Sequence, residues 1–391
     1  MKRPEYEVAD VFRQFASAYI DKYWPIGRQQ SKVLRAIQQC RTTVLGGHVD
    51  KCDSCGHQDI SYNSCRNRCC PKCQHLEKDK WLQARQQEVL PINYFHAVFT
   101  IPSQLRDIAL RNQRVVYGLL FRAVSQTLLR LGADPKHLGA KIGFITVLHT
   151  WGENLMHHPH IHCIVTGGGL AADKGNLRWI HSRSNYLFPG KVISKYYREV
   201  FLDLITRAFR KGELTFVGKI EHLGQPKRFG ELVKSCREHD WVVDVQPARG
   251  GPQKVLEYLS RYTYRVAISN HRIVSIANGR VCFTCKNYRK NGQRETLSLD
   301  GVEFMRRFMM HVLPKGFIRI RSYGLLASCK KVVNLKICRS LLGVTDTPVE
   351  ITTEQEIDPL LKVPFCPKCH KGRMICQRTW EARAPPYRGV A

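Results

Sequence analysis

Apolar positions recur at helical spacing near the N-terminus. In VADVFRQFASAYIDKYW, Val11, Phe12, Phe15, Tyr19 and Tyr23 follow a 3.6-residue repeat, and Pro25 ends it. SKVLRAIQQC (31–40) predicts a second, shorter helix. From Val44 to Gln74 the periodicity gives way to Gly, Asp, Ser, Asn and Cys, which is loop chemistry stabilised by something other than an apolar core. LEKDKWLQARQQEVL (76–90) is helical again and stops at Pro91. YFHAVFTIP, β-branched and aromatic, predicts a strand ended by Pro102. A long amphipathic helix follows over 106–132, closed by Gly132. IGFITVLHTWG (142–152) and HIHCIVTGG (160–168) read as strands joined by ENLMHHPH. Further on, 195–212 reads as a helix, 241–248 as a strand and 250–267 as a helix after a Gly-Gly-Pro turn. Beyond 268 the pattern is short strands and basic turns, with two Asn-Gly signals. This alternation is compatible with an α+β chain and shows no internal repeat.

Composition changes the picture through charge. The 391 residues carry 62 Lys and Arg against 32 Asp and Glu, a formal net charge of +30. Such an excess repels itself unless a polyanion is near, so nucleic acid leads and an anionic membrane surface is second. The excess is greatest across 249–343, with 19 Lys and Arg against 4 Asp and Glu. Residues 345–361 are acidic and turn-rich and read as a linker. No run of about 18 apolar residues is present to span a membrane. The acid-bearing N-terminus lacks the apolar stretch of a signal peptide.

Six of the 16 cysteines crowd between Cys52 and Cys73, and three more lie between Cys366 and Cys376. CxxC clustering without a signal peptide points to a reducing compartment and to metal. Cys52 with Cys55 and Cys70 with Cys73 form two knuckles, spaced to offer four thiolates to one tetrahedral Zn²⁺. Cys65 and Cys69 are additional thiols able to substitute as ligands. His48 and His57 are weaker candidates. Arg66, Arg68 and Lys72, interspersed among them, are expected DNA contacts. The tail CPKCHKGRMIC looks like half of a zinc ribbon, a weak metal site by itself. In HHPHIHCIV, His160 and His162 project to one side of a strand while Ile161 turns to the core, so two imidazoles can meet one divalent ion. In KVLEYLSRY, Tyr258 and Tyr262 share one face of a helix, with Lys254 one turn before them. Taken alone, those tyrosines fit an aromatic core stripe better than a catalytic pair. No GxxxxGK[ST] loop occurs, so no nucleotide cofactor is expected.

The order of these motifs resembles the HUH endonuclease superfamily. VLHTWGENLMHHPHIHCIVTGGG, YLSRYTYRVAISN and HVLPKGFIRIRSYGLLA look like its two-tyrosine rolling-circle insertion-sequence transposases, whose members also begin with a cysteine-rich zinc module. The resemblance covers roughly residues 10 to 343; Cys69 stands where a histidine is expected. It implies an antiparallel sheet with packed helices, ferredoxin-like or RNA-recognition-like, and a nickase that forms a 5′-phosphotyrosine link on single-stranded DNA at element ends. Tyr258 and Tyr262 are the expected nucleophiles and Lys254 the group that steadies the phenolate or phosphate. Two tyrosines permit successive transesterifications without hydrolysis and without ATP. Structural Zn²⁺ and catalytic Mg²⁺ or Mn²⁺ are the implied cofactors; a divalent cation on a non-bridging oxygen offsets the charge that makes a phosphodiester resistant.

HUH sites usually add a third polar ligand. Glu153, in the connection entering the His strand, is the expected one; His158 is the runner-up and His149 a third option. Arg261 and Arg265, beside Tyr262 in the basic stretch, are expected DNA contacts. The implied organisation is a zinc-binding module over 1–92, a catalytic domain over 93–270, a basic β-rich extension over 271–343, and an acidic linker and cysteine-bearing tail over 344–391. The expected setting is bacterial cytoplasm, at the nucleoid. Two other readings fit the same motifs. One is a rolling-circle replication initiator or relaxase with the same chemistry, against which the zinc module and the lack of a helicase segment count. The other is a non-catalytic zinc protein that binds DNA.

Overall fold

The computed structural model describes residues 4–86, 88–173, 175–248, 255, 264, 266–287, 290–344 and 363–381. Lys254, Tyr258, Arg261, Tyr262 and Arg265 lie outside the described residues.

The chain opens with α1 (Val8–Tyr23) and α2 (Arg28–Gln39), then a hairpin of β1 (Gly46–Cys52) and β2 (Gln58–Tyr62), and α3 (Pro71–Gln86). The hairpin falls where sequence periodicity predicts only loop. Its strands are short, and β2 is largely exposed, so no apolar alternation marks them. β3 (Tyr94–Thr100) leads into α4 (Arg106–Arg111) and α5 (Gln113–Ala133). The single helix expected over 106–132 is divided at Asn112, whose side chain leaves the helical path to bind Thr215, accepting from its N–H at 2.7 Å and donating to its carbonyl at 3.0 Å.

β4 (Lys141–Trp151), β5 (His157–Asp173), β6 (Asn176–His181), α6 (Gly190–Arg210), α7 (Pro226–Glu238) and β7 (Val243–Pro247) follow. Then come β8 (Ile273–Ala277), β9 (Arg280–Asn287), β10 (Gln293–Asp300), α8 (Gly301–Met309), β11 (Ile320–Gly324), α9 (Lys331–Leu341) and β12 (Met374–Glu381). The last two helices replace part of the expected strands and turns, and α7 falls where the pattern gave no expectation. Asp300 caps α8, its carboxylate accepting from the N–H groups of Val302 and Glu303 at 3.0 and 3.1 Å.

The central sheet has the order β11-β4-β5-β3-β7, with β6 against the far end of β5, and each of these pairs is antiparallel. Strand alternation gives it two different faces. Phe95, Phe99, Phe144, Ile161, Cys163 and Val165 bury one against α5 and α6. Tyr94, Ile145 and Ile164 on the other pack with Leu325, Leu335 and Val255. A second core joins the N-terminal helices to the later hairpins: Val8, Phe12 and Ile37 pack with Phe283, Phe304 and Phe308, Phe12 edge-on to Phe308 at 5.1 Å. The fold is therefore α+β, with antiparallel sheets covered by helices.

Candidate metal centres and nucleic-acid cleft

β5 starts at His157, three residues earlier than expected, and takes in Pro159. A proline lacks the N–H that a central strand must donate, but β3 pairs with β5 only as far as His160. Over 157–159 the strand pairs with β4 only through His157 and Trp151, and Pro159 falls in the register shift between that pair and His149–His160, a place where a strand tolerates proline. From His160 onward β5 is flanked by both neighbours. Its register places His160 opposite His149 of β4 and His162 opposite Val147, so the three histidines share one pleat.

The ligand-capable nitrogens of His149, His160 and His162 lie within 4.8 Å of one another. His160 Nε2 and His162 Nε2 are 3.1 Å apart. Two nitrogens in adjacent positions of an octahedral ion at about 2.1 Å stand about 3.0 Å apart, so the spacing fits a divalent ion. Each ring is also held from behind. His160 Nδ1 donates to the carbonyl of His158 at 2.7 Å, which leaves Nε2 as the lone-pair nitrogen. His162 Nδ1 is 2.9 Å from Nε2 of His96, which stacks on it at 5.1 Å. Burial lowers His96 to about 4, so its ring is neutral near pH 7. His149 stacks on Trp151 at 4.6 Å. This is the outer support that metal-binding histidines commonly have.

Glu153 is not part of this group. Its carboxylate pairs with Arg272 at 3.4 Å, and Arg272 also donates to the carbonyls of Glu153 and Thr284. The β4–β5 turn thus leans towards β9 rather than folding back over the histidines. His158 lies near Arg106, with Nδ1 3.2 Å from the guanidinium, also outside the group. His149, the third option, is the one whose ring nitrogen lies with those of His160 and His162. His96 was missed; its signal was a polar residue within an otherwise apolar strand.

The cysteines form two clusters rather than one. Cys40, Cys65, Cys70 and Cys73 converge, as do Cys52, Cys55, Cys366 and Cys369. The single site of Cys52, Cys55, Cys70 and Cys73 is therefore corrected, because the two knuckles belong to different groups. In the first cluster sulfur separations are 3.5 Å for Cys65–Cys73 and 3.6 Å for Cys40–Cys73 and Cys40–Cys70. Four sulfurs about 2.3 Å from a tetrahedral zinc stand about 3.8 Å apart, so the donor set fits zinc. Hydrogen bonds from Cys40, then Cys65 and Cys70, push Cys73 well towards thiolate. Cys40 was missed because it ends α2 without a second cysteine nearby. Cys69 stays outside both groups, its thiol pushed up by burial.

The basic residues of the module divide. Arg68 donates to the carbonyls of Phe317, Leu313 and Pro314 at 2.8 to 3.1 Å, tying the module to the segment before β11. Lys72 pairs with Glu7. Arg68 is thus tied into the fold, while Lys72, paired with Glu7, lines the same cleft as Arg66. Arg66 is exposed and, with Arg41, Lys78, Tyr62 and Tyr264, lines a cleft of about 1320 Å³ between the zinc module and the residues around 264–272. Cations with aromatic faces in one groove suit single-stranded nucleic acid, whose phosphates and bases need both.

Residues 143–333 match the family described as "Putative transposase", and residues 11–101 match "Transposase zinc-binding domain". The chain is 43% identical over 395 residues to "Putative transposase y4qJ" of Sinorhizobium fredii, with 99% of each chain covered. It is 28% identical over 293 residues to "Transposase for insertion sequence element IS801" of Pseudomonas savastanoi pv. phaseolicola, covering 74% of this chain and 68% of that one. No solved structure matches. No helix among the described residues is long and apolar enough to cross a membrane. The three-histidine strand pair lies within the first match and the Cys40 cluster within the second, and the chain belongs to the IS91/IS801 family of insertion-sequence transposases.

Proposed function

We propose that this transposase nicks and rejoins single DNA strands at the ends of an insertion sequence through 5′-phosphotyrosine intermediates, driving rolling-circle transposition at the bacterial nucleoid. One observation carries the reading. His149, His160 and His162 converge on the sheet face that also buries Val255 with Ile145 and Ile164. Tyr258 and Tyr262 follow Val255 at helical spacing in the sequence, three and seven residues on.

The chemistry then follows from residue types. His149, His160 and His162 would hold Mg²⁺ or Mn²⁺, which when bound withdraws electron density from the scissile phosphate. A tyrosine oxygen forms a bond to phosphorus, the bond to the 3′ oxygen breaks, and that oxygen leaves as a hydroxyl. A phenol has a pKa of about 10, so it needs a nearby cation, and Lys254 supplies one in this proposal. The bond energy remains in the phosphotyrosine, and the second tyrosine repeats the exchange. Arg41, Arg66 and Lys78, with Tyr62 and Tyr264, guide the strand along the cleft; Arg261 and Arg265 add charge beside Tyr262.

The test is cleavage of single-stranded DNA carrying the element's ends, with Mg²⁺, Mn²⁺ or chelator. Cutting is expected only with metal, and His160→Ala with His162→Ala should lower it about 100-fold or more. DNA binding should stay within about threefold, because the ion acts on transition-state charge rather than docking. Cutting that persists in chelator, or in that double variant, would overturn the proposal.

A further inference from the structure

Cys366 and Cys369 fall outside both matched stretches, yet they meet a knuckle from the other end of the chain. Cys55 Sγ and Cys366 Sγ are 3.6 Å apart, and Cys52 Sγ and Cys369 Sγ are 3.7 Å apart, across separations of 311 and 317 residues. These are the spacings of sulfurs around a tetrahedral zinc, about 3.8 Å.

Both halves have knuckle geometry. The N–H of Cys55 points at Cys52 Sγ, that of Lys368 at Cys366 Sγ and that of Gly372 at Cys369 Sγ, each at 3.4 Å. Donors of this kind stabilise thiolates rather than thiols. The halves also interlock through the backbone. Asp53 N–H donates to the Arg373 carbonyl at 3.1 Å, and Arg373 N–H donates to the Asp53 carboxylate at 2.9 Å. A Cβ at Gly372 would stand 2.5 Å from Cys52 Sγ, so only glycine allows the two knuckles to close.

The contact extends into a sheet. β12 pairs with β1 along its length, making the order β12-β1-β2, and Trp380 lies edge-on to Tyr62 at 6.0 Å. Almost nothing apolar holds this assembly. Its buried cluster is Cys52, Cys366 and Met374, two of them thiols. A segment with so little core requires another source of order.

We propose that Cys52, Cys55, Cys366 and Cys369 form a second, split zinc site that clasps residues 363–381 to the N-terminal module. The Cys40 cluster is complete without it, so the two sites fill independently. The clasp makes the tail part of the DNA-binding end of the molecule rather than an appendage beyond the linker.

Native mass spectrometry of the full chain, purified under reducing conditions, should count two zinc ions. Cys366→Ser with Cys369→Ser should leave one, and Cys369→His, which keeps a ligand, should keep two. A variant-free measurement guards against misfolding. In zinc-loaded wild type, iodoacetamide should spare Cys52, Cys55, Cys366 and Cys369 and modify the exposed Cys329 and Cys376; chelator should open all four together. One zinc in the wild type, two in the double serine variant, or modification of Cys366 and Cys369 while zinc is bound would overturn the proposal.

Discussion

Three imidazoles converge here because strand positions 149, 160 and 162 share one pleat and a second ring, His96, backs one of them. His149→Ala should therefore weaken Mn²⁺ binding by at least about tenfold, as loss of a ligand does. Glu153→Ala should leave Mn²⁺ affinity within about twofold and lower stability by roughly 1 kcal/mol, since its carboxylate serves the Arg272 contact. Calorimetric titration and denaturant midpoints measure the two. Burial also sets the response to acid. It holds His157, whose Nε2 meets Tyr117, down at about 3, with the neighbouring His311 adding to it; His311 itself is held at about 4. An unfolded histidine titrates near 6.5, so between there and the folded values the unfolded chain binds more protons. Stability is full above about pH 6.5 and is lost as pH falls towards 4, with a slope approaching 2.7 kcal/mol per pH unit for the pair. Urea midpoints across pH 7 to 4 should fall accordingly; a flat profile would mean that these rings are not buried neutral.

At the scale of elements, the His strand was legible because period-two spacing alone puts His160 and His162 on one face. Its early start was not, since it depends on the Trp151–His157 pairing across a register shift in β4. Glu153 stands apart from the three histidines for a related reason: it is near His160 in sequence, but the turn at 152–156 is drawn towards Arg272, a partner 119 residues away. The cysteine spacing announced zinc without revealing which thiols group together, because Cys40, Cys366 and Cys369 arrive through tertiary packing. Among the turns, Gly324 at the end of β11 has φ +63°, and a Cβ there would overlap the Ile142 carbonyl. Gly324→Ala should cost at least about 2 kcal/mol. Gly343→Ala, also at positive φ but in open space, should cost about 1 kcal/mol. Equal denaturation midpoints for the two variants would contradict the close β4–β11 approach.

For the whole molecule, charge and architecture agree. A formal +30 is a large field for a 45.1 kDa chain, and a cleft bearing Arg41, Arg66 and Lys78 gives phosphate somewhere to enter. If the strand contacts six to ten phosphates, affinity should fall about 10³-fold or more between 50 and 200 mM salt. Fluorescence anisotropy on labelled single strands would show it, and affinity that barely moved would remove the electrostatic part of the account. The shared core of α1, α2 and α8 also means that the zinc module and the later hairpins fold around common residues, an arrangement that local sequence pattern does not encode because its partners are some 290 residues apart.

The central claim is that Tyr258 and Tyr262 carry the strand. Its most direct measurement is mass spectrometry of the covalent product formed with single-stranded element ends and Mn²⁺, using wild type and the Tyr258→Phe with Tyr262→Phe double variant. The account predicts a 5′-phosphotyrosyl peptide containing residue 258 or 262 in the wild type and no adduct in the double variant, whose rings are preserved. An adduct on Tyr264 or Tyr288, or one that survives the double substitution, would contradict it.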